Sequence, residues 1–357
     1  MHSNGLSRRS LLKRTGGAAA GLSVGTTGCL GESGAGAGAG GSSAPDSLTL
    51  GTLDVFPMMQ YFVIEQQGWY DELGPDIEVK SFGGGPPLVQ AYASGDIDFA
   101  YVGISPGTVA IANGIASKVV AANVLEPNVM VGGATFRSYW ADHGPDAFRR
   151  FREAEGRKPR FATLPAGSTP DVFLRYWITE TLGLDLDVIE IVGQSPSALR
   201  STLSSGQADA GSVIEPIPTA LEADPDSDMD PFRYAGEIMP GQPGAVLQPS
   251  QALIDEQPDL VRRLVEIHVR ATEFIQRNRA QAVGMASEVI GSDILSTEVA
   301  ERAIESPASN FVSDPHRIVD KTLVYNDFHQ QLDSVDTDLT ADDVFDHSFY
   351  DEVSDGG

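Results

Sequence analysis

The 357-residue chain contains one cysteine, Cys29, and only five lysines. A single cysteine excludes a disulfide framework and a zinc site built from several thiolates. The scarcity of lysine accompanies a large acidic excess, because 50 Asp and Glu residues face 24 Lys and Arg residues for a net charge of −26. Such a field repels phosphate backbones and anionic lipid surfaces, which excludes nucleic acid and a membrane-surface role. It also favours a halophilic source, since high salt screens the self-repulsion.

The N-terminal region lacks the run of about 20 strongly apolar residues that a bilayer span needs. Residues 7–13, SRRSLLK, instead follow the twin-arginine export pattern, and a Gly- and Ala-rich stretch comes next. Cys29 lies in TTGCL, which resembles a lipoprotein cleavage box, although Thr26 stands where such boxes usually carry leucine. We expect residues 1–29 to be an export signal whose cysteine takes a lipid, the alternative being a cysteine without a role. Residues 30–46 are low in complexity and predict a flexible tether.

One unit occurs twice, as LVQAYASGDIDFAYVGISP at 88–106 and as SALRSTLSSGQADAGSVIEP at 197–216. In both copies Ser-Gly-x-x-Asp follows an amphipathic helical pattern, and we predict that its glycine ends the helix in the left-handed conformation. An apolar strand follows and ends at Ser105-Pro106 or Glu215-Pro216. We predict that each proline takes the first position of the next helix. Because open α/β sheets bind ligands where strands lead into helices, the two copies predict two lobes that face one cleft.

From Ser47 onward, apolar runs alternate with helical periodicity, which predicts an α/β protein, and the length favours two domains. Thr169-Pro170 predicts a helix start with Thr169 as the N-cap and proline at the first position. The predicted strands lie at 48–53, 77–82, 118–123, 129–136, 160–164, 188–192 and 245–248.

Four segments, taken in order, resemble the substrate-binding proteins of the nitrate, sulfonate and taurine group of ABC importers: GGGPPLVQAYASGDIDFAYVGISP, LPAGSTPDVFLRYW, ALRSTLSSGQADAGSVIEP and PDLVRRLVEIHVRATEFI. The likeness runs from about Leu48 to Tyr350. It implies a two-lobed periplasmic-binding-protein-like fold of type II with two crossing hinge strands, with lobe I at 47–128 and 249–350 and lobe II at 129–248. It also implies an extracytoplasmic receptor that delivers a small-molecule ligand to a permease with a cytoplasmic ATPase. The predicted signal and Cys29 agree independently with a lipid-anchored protein on the outer face of the cell membrane, and we expect it to be a monomer.

The resemblance also implies that the ligand contacts lie in the turns after the strands, at Asp54, Phe56, Gly84, Gly85, Ser105, Ser168, Thr169 and Glu215. Helix starts at these turns would aim free N–H groups at the cleft, where the helix dipole favours negative charge. The hydroxyl groups of Ser105, Ser168 and Thr169 would add donors. The alternative is that Ser105 and Thr169 cap their own helices and that the glycines only turn the chain.

The expected ligand is a small oxyanion such as a sulfonate, taurine or nitrate. The alternative is a thiamine-precursor pyrimidine or another heterocycle, for which Phe56, Tyr61 and Tyr101 are candidate stacking surfaces. Asp54 and Glu215 would repel a sulfonate and attract an amine, unless both bond to neighbouring backbone. Both interpretations stay open at this point.

An enzyme on the same fold is the main rival function, and it would need a nucleophile, a metal or a poised acid and base in the cleft. The only cysteine lies at the processing site, and the histidines of the folded part are scattered at 143, 268, 316, 329 and 347. We therefore expect no catalysis, no metal and no cofactor. A sensor ectodomain is a weaker rival, because it would need a signalling segment.

Overall fold

The computed structural model describes residues 45–291 and 295–356, so the predicted export signal, Cys29 and nearly all of the predicted tether lie outside the described residues. Residues in the described ranges form short strands and longer helices in alternation. The strands are β1 (Ser47–Thr52), β2 (Asp76–Ser81), β3 (Phe99–Gly103), β4 (Ala121–Ala122), β5 (Val124–Leu125), β6 (Asn128–Gly132), β7 (Arg160–Thr163), β8 (Glu190–Gly193), β9 (Ala210–Ile214), β10 (Asp230–Tyr234), β11 (Ala245–Pro249) and β12 (Asn310–Phe311).

The helices cover the faces of the sheets and supply the C-terminal part of the fold. They are α1 (Met59–Gln67), α2 (Gly85–Ala93), α3 (Ile104–Ala112), α4 (Ala134–His143), α5 (Ala147–Glu155), α6 (Thr169–Tyr176), α7 (Pro196–Ser204), α8 (Ile217–Glu222), α9 (Ala235–Ile238), α10 (Gln251–Glu256), α11 (Pro258–Arg277), α12 (Arg279–Ile290), α13 (Thr297–Ile304), α14 (Val319–Gln331), α15 (Ala341–Val344) and α16 (Ser348–Asp355). Among the described helices, none has both the length and the apolar character of a bilayer span.

Two five-stranded sheets repeat the same arrangement. Their orders are β2-β1-β3-β11-β4 and β8-β7-β9-β6-β10. In each sheet the first three strands are parallel and the fourth is antiparallel to the third. This correspondence confirms the predicted two-lobed α/β fold. The lobe boundaries at 128/129 and 248/249 stay predictions, and β11 pairs with the first sheet from Ala245 onward.

The doubled Ser-Gly-x-x-Asp unit has the same structural role in both sheets. Gly95 and Gly206 have positive φ values of 75° and 68°, as a helix-ending glycine requires. The Asp98 carboxylate accepts a hydrogen bond from the backbone N–H of Thr49 in β1 at 2.7 Å. The Asp209 carboxylate accepts the equivalent bond from Arg160 in β7 at 2.8 Å. Each aspartate therefore secures the start of the strand beside it.

The chain crosses between the sheets twice, and the two crossing segments are hydrogen-bonded to each other. The N–H of Glu126 donates to the carbonyl of Gln242 at 2.7 Å, and the N–H of Gly244 donates to the carbonyl of Val124 at 3.1 Å. The Glu126 carboxylate also accepts from the N–H of Gly241 at 2.6 Å. These bonds are the connection expected of a two-strand hinge.

Several predicted ends of strands and starts of helices were wrong. The strand predicted at 129–136 ends at Gly132, because Gly133 is already the N-cap of α4. Ser168, not Thr169, is the N-cap of α6, and its side chain accepts from the N–H of Asp171. Pro106 is the third residue of α3 and Pro216 is the N-cap of α8, so neither proline takes the predicted first position.

The strand-securing role of Asp98 predicts a stability loss for Asp98→Ala. The variant leaves the Thr49 N–H without its charged acceptor, so we expect the free energy of unfolding to fall by about 2 kcal/mol. Chemical denaturation of this variant and of Asp96→Ala, which removes an exposed carboxylate of the same unit, measures the effect. Equal stability of the two variants would contradict the assigned role.

Candidate functional site

An open cavity of about 700 Å³ lies where strand ends of both sheets face each other. The first sheet contributes Asp54 after β1 and Phe82 after β2, and the second contributes Leu164 after β7 and Glu215 after β9. Arg200 on α7 completes the charged lining together with Asp224. The structure thus brings two predicted site residues, Asp54 and Glu215, to one cavity.

A second, smaller space, here called the inner chamber, adjoins this cavity and measures about 40 Å³. Val55, Leu164 and Ile214 line both spaces, so the inner chamber borders the cavity on the side of the hinge residue Pro127. Three predicted site residues, Gly85, Ser168 and Thr169, lie in its wall. Of the eight predicted site residues, two line the cavity and three line the inner chamber, whereas Phe56, Gly84 and Ser105 line neither.

The hydroxyl groups and helix-start N–H groups around the inner chamber are already used inside the protein. The Ser168 hydroxyl accepts from the N–H of Asp171 at 3.4 Å, and the Thr169 hydroxyl accepts from the N–H of Ser105 at 3.3 Å. The N–H of Ile104, the first residue of α3, donates to the carbonyl of Gly244. These bonds occupy the N–H groups of Ile104, Ser105 and Asp171, whereas the hydroxyl hydrogens of Ser168 and Thr169 take no part in them.

Ser105 is fully buried and joins the two lobes instead of facing a cavity. Its hydroxyl lies 3.0 Å from the carbonyl oxygen of Gly167 and 2.9 Å from Nε2 of His329. A carbonyl oxygen only accepts, so the single hydroxyl hydrogen goes to Gly167 and the His329 Nε2–H donates to Ser105. Burial lowers the pKa of His329 to about 4, which keeps the ring neutral. A histidine that donates to the hydroxyl is not placed to deprotonate it, so the pair is structural.

Gly84 and Gly85 lie where the start of α2 packs against neighbouring parts of the fold. A Cβ atom on Gly85 would lie 2.5 Å from Cγ of Pro106, inside the contact limit. A Cβ atom on Gly84 would lie 3.4 Å from Cγ of Pro165, which belongs to the facing sheet's loop. Gly85 therefore allows α2 to approach α3, whereas a side chain at Gly84 would make only an ordinary contact with the loop after β7.

The aromatic side chains predicted as stacking surfaces lie in the core. Phe56 is 1% exposed and packs against Phe311, with ring centroids 6.5 Å apart. Tyr61 and Tyr101 are also buried and pack against each other. The prediction of a ligand-stacking role for these three rings was wrong, and Phe82 is the aromatic ring that lines the cavity.

Glu215 carries the most unusual electrostatics of the cavity. The residue is 3% exposed, and its Oε2 atom has no hydrogen-bond partner among the described residues. Burial raises the pKa of Glu215 to about 7, Glu222 adds to the rise, and hydrogen bonding from Ser306 and Thr219 opposes it. Asp54 differs, because it is exposed and its carboxylate accepts from the Ser81 hydroxyl at 2.7 Å.

Charged groups approach Glu215 from several elements. Within the described ranges no ion pair includes its carboxyl group, and the nearby Arg302 of α13 pairs with Glu222 of α8 at 3.1 Å. Arg200 lies 4.0 Å from Asp224, a loose pair. Glu215 also lines a separate cavity of about 380 Å³ between α8 and α13, whose wall includes Arg302. Other titratable groups share the two cavities that Glu215 lines: Asp54, Tyr234, Glu301 and Glu305. The carboxyl group therefore stays without a cationic partner from the protein.

Sequence reasoning missed two residues that line these spaces, Arg200 and Asn128. Arg200 lies inside the second copy of the doubled unit, in SALRSTLS, so its nearness to the Glu215 turn was available as a signal. Asn128 follows Pro127 at the start of β6 and gave no signal, because only the fold places it at the inner chamber.

Two α/β lobes, joined by crossing segments around an open cleft, define a protein with the periplasmic-binding-protein fold. The nitrate-binding protein NrtA of Synechocystis PCC 6803 superposes with a TM-score of 0.71 at 15% identity, covering 87% of this chain and 89% of that chain. The alkanesulfonate-binding protein SsuA of Xanthomonas axonopodis pv. citri, solved with MOPS bound, gives 0.68 at 18% identity, covering 85% of this chain and 99% of that chain.

The match between the sequence and a family model identifies the family. The chain belongs to the NMT1-like family, whose model matches residues 41–290. A relative from Brucella abortus that carries the name of a binding protein is 25% identical over 239 residues, which is 65% of this chain and 67% of the relative.

The buried carboxyl group makes folding stability depend on pH. The native pKa of Glu215, about 7, lies above the ordinary 4.5, so the native state binds the proton more tightly and loses stability as pH rises from about 4.5 to about 7. This rise corresponds to about 3 kcal/mol. Glu215→Gln should remove the loss.

Denaturation of the wild type and of Glu215→Gln at pH 5 and pH 8 measures this effect. The variant should gain stability relative to the wild type on going to pH 8. Glu237→Gln, which changes an exposed carboxylate, is the matched control. Parallel pH profiles for all three proteins would rule out a buried, uncompensated Glu215.

Proposed function

We propose that this protein is the extracytoplasmic solute-binding component of an ABC importer and that it has no catalytic activity. The proposal is supported by the family, by the two-lobed fold and by a ligand-sized cavity at the strand ends of both sheets. The cavity volume falls in the range of about 300–1,000 Å³ that is typical of small-molecule sites. A membrane permease with a cytoplasmic ATPase would receive the ligand.

Closure of the lobes would be the working step. Ligand that contacts both sheets binds the closed form better and shifts the population toward it. Polar contacts between the lobes include Ser105 with Gly167 and Arg302 with Glu222, and the rings of Tyr176 and Phe328 also pack across. The polar contacts are suited to breaking and reforming. The lobes would comprise 47–128 with 249–350, and 129–248.

The ligand that the cavity fits best is a small organic solute with an amino group. The observation that supports an amino group is the state of Glu215. This residue lines the cavity, is buried, and has no cationic partner among the described residues. An ammonium or ring-amino donor would supply that partner, and the Asp54 carboxylate faces the same space. A bound amine would also release the desolvation cost of an ionised Glu215.

A simple oxyanion is the second candidate, and Arg200 is the observation that favours it. Its guanidinium group lines the cavity and holds only a loose contact with Asp224. The sulfonate- and nitrate-binding proteins of the same fold point the same way. A zwitterion such as taurine would satisfy both sides, with its sulfonate toward Arg200 and its amine toward Glu215.

Matched ligand pairs test the amine preference. Taurine and ethanesulfonate differ in one amino group, as do 4-aminopyrimidine and pyrimidine. The amine-bearing member of at least one pair should stabilise the protein more in a thermal-shift screen, since a ligand at 100 times its Kd adds about 2.7 kcal/mol. Calorimetry with taurine should show affinity about 30-fold weaker at pH 5.5 than at pH 8.5, because Glu215 with a pKa of about 7 is protonated at the lower pH.

Glu215→Gln should abolish this pH dependence for a ligand whose amine stays charged throughout, such as taurine. Stabilisation by nitrate or ethanesulfonate equal to that by taurine would contradict the amine preference and favour the oxyanion. Absence of binding by every member of both pairs would reject both proposed ligand classes.

We further propose that residues 1–29 direct twin-arginine export, that Cys29 carries the lipid anchor and that the acidic coat serves a high-salt environment, with the chain acting as a monomer. The Arg8-Arg9 pair and the small-residue box before Cys29 support export and lipidation. Cys29→Ala should move the protein from the membrane fraction to the soluble exported fraction. A Cys29→Ala protein that stays membrane-bound would contradict the anchor.

A further inference from the structure

Three residues beside the inner chamber join the two lobes by hydrogen bonds. Ser105 lies on α3 beside the first sheet, whereas Gly167 and Thr169 lie where β7 of the second sheet leads into α6. The Ser105 hydroxyl donates to the Gly167 carbonyl at 3.0 Å, and the Ser105 N–H donates to the Thr169 hydroxyl at 3.3 Å. Both bonds run from one lobe to the other, so both must break if the lobes separate.

Burial distinguishes these two hydrogen bonds from the ion pair that also crosses between the lobes. Ser105 is 0% exposed and Thr169 is 6% exposed, and a low local dielectric strengthens hydrogen bonds. The side chains of Arg302 and Glu222 are 46% and 35% exposed, so water and salt screen their attraction. The bonds at Ser105 therefore stabilise the contact between the lobes more than the ion pair does.

Neighbouring groups within each lobe hold the partners of these bonds in position. The N–H of Gly167 donates to the Asp171 carboxylate at 2.9 Å, and that carboxylate pairs with Arg175 at 3.1 Å. On the other side, the His329 Nε2–H donates to the Ser105 hydroxyl at 2.9 Å. Because these anchoring contacts stay inside one lobe, they do not depend on closure. Little ordering entropy is therefore lost when the lobes meet.

The surfaces around these bonds fit closely. A Cβ atom on Gly103 would lie 2.6 Å from Oγ1 of Thr169, so only glycine at this position lets α6 come so near. The ring of Tyr176 on α6 packs edge-on against Phe328 on α14, with centroids 5.5 Å apart. Hydrogen bonds and apolar packing thus act together, and both groups of Ser105 find their partners within the protein.

We propose that Ser105, Gly167 and Thr169 form a latch that closes the lobes before any ligand binds. This inference goes beyond the proposed function, because it assigns part of the closure to the protein itself. A buried hydrogen bond of ordinary net strength raises the closed-to-open ratio about fivefold, so the two bonds together raise it about 30-fold. Ligand that enters the open cavity meets lobes that are already together, and less of its binding free energy is lost to closure.

Variants that each remove one bond test the latch. Ser105→Ala removes the hydroxyl donor, and Thr169→Val replaces the hydroxyl acceptor by a methyl group of similar size. Thr169→Ser keeps the hydroxyl and should behave as the wild type. Ser212→Ala is the matched control, because Ser212 is equally buried but donates to the carbonyl of Pro170 at 2.9 Å inside the second lobe. This control should lower the free energy of unfolding without separating the lobes.

The distance between the lobes of the ligand-free protein is the measured quantity. Asp96 and Gln207 are exposed and occupy the same position in the two copies of the doubled unit, one beside each sheet. Spin labels on Asp96→Cys and Gln207→Cys, in the full chain with Cys29→Ala, report this distance by pulsed electron paramagnetic resonance. The labelled protein with an intact latch should give mainly the shorter distance. Ser105→Ala and Thr169→Val should each raise the ratio of longer to shorter distances about fivefold, and the double variant about 30-fold.

A ligand-free protein found mainly at the longer distance would overturn the proposal, as would equal distance distributions for the intact latch and the double variant. Separation of the lobes by Ser212→Ala as large as that by the double variant would also overturn it, because loss of any buried hydrogen bond would then open the cleft. These measurements use no ligand. Their failure therefore leaves the proposed function in place, and that function is tested separately by ligand binding.

Discussion

The buried Glu215 carboxyl group is the constraint around which the cleft is organised. It lies directly after β9, lines the open cavity and has no cationic partner within residues 45–291 and 295–356. Desolvation of this group raises its pKa to about 7, because burial disfavours the ionised form. A protonated ligand amine beside the carboxylate would stabilise that ionised form. The predicted pH dependence of stability and the proposed amine preference both follow from the burial of this one group.

The doubled unit explains why the two lobes are alike in structure and unlike in chemistry. Asp98 and Asp209 make the same backbone bond to the parallel strand beside their own, β1 and β7. Just beyond each copy, the residues diverge, because Ser105 is used to join the lobes while Glu215 stays unpaired at the cavity. A shared scaffold thus supports an asymmetric cleft, as an asymmetric ligand would require.

Local patterns in the sequence predicted the parts of the fold that depend on backbone preferences. The left-handed glycines at 95 and 206 and most strands lie where expected, since glycine and apolar runs act through neighbouring residues. The site was harder to predict. Phe56 lies in the core, and the Thr169 hydroxyl accepts a hydrogen bond from the N–H of Ser105. Asn128 lies at the inner chamber because β6 pairs with β9, a strand about 80 residues further along the chain. Such contacts depend on the packing of the two sheets, which no short segment encodes.

Direct titration of the Glu215 carboxyl group tests the central claim. Carbon-13 NMR of glutamate-labelled protein, with Glu215→Gln used to assign the resonance, reports its pKa with and without taurine. The account predicts a pKa near 7 in the ligand-free protein and a clear fall when the amine binds. A pKa near the ordinary 4.5 in the ligand-free protein, or one near 7 that stays unchanged with taurine bound, would contradict it.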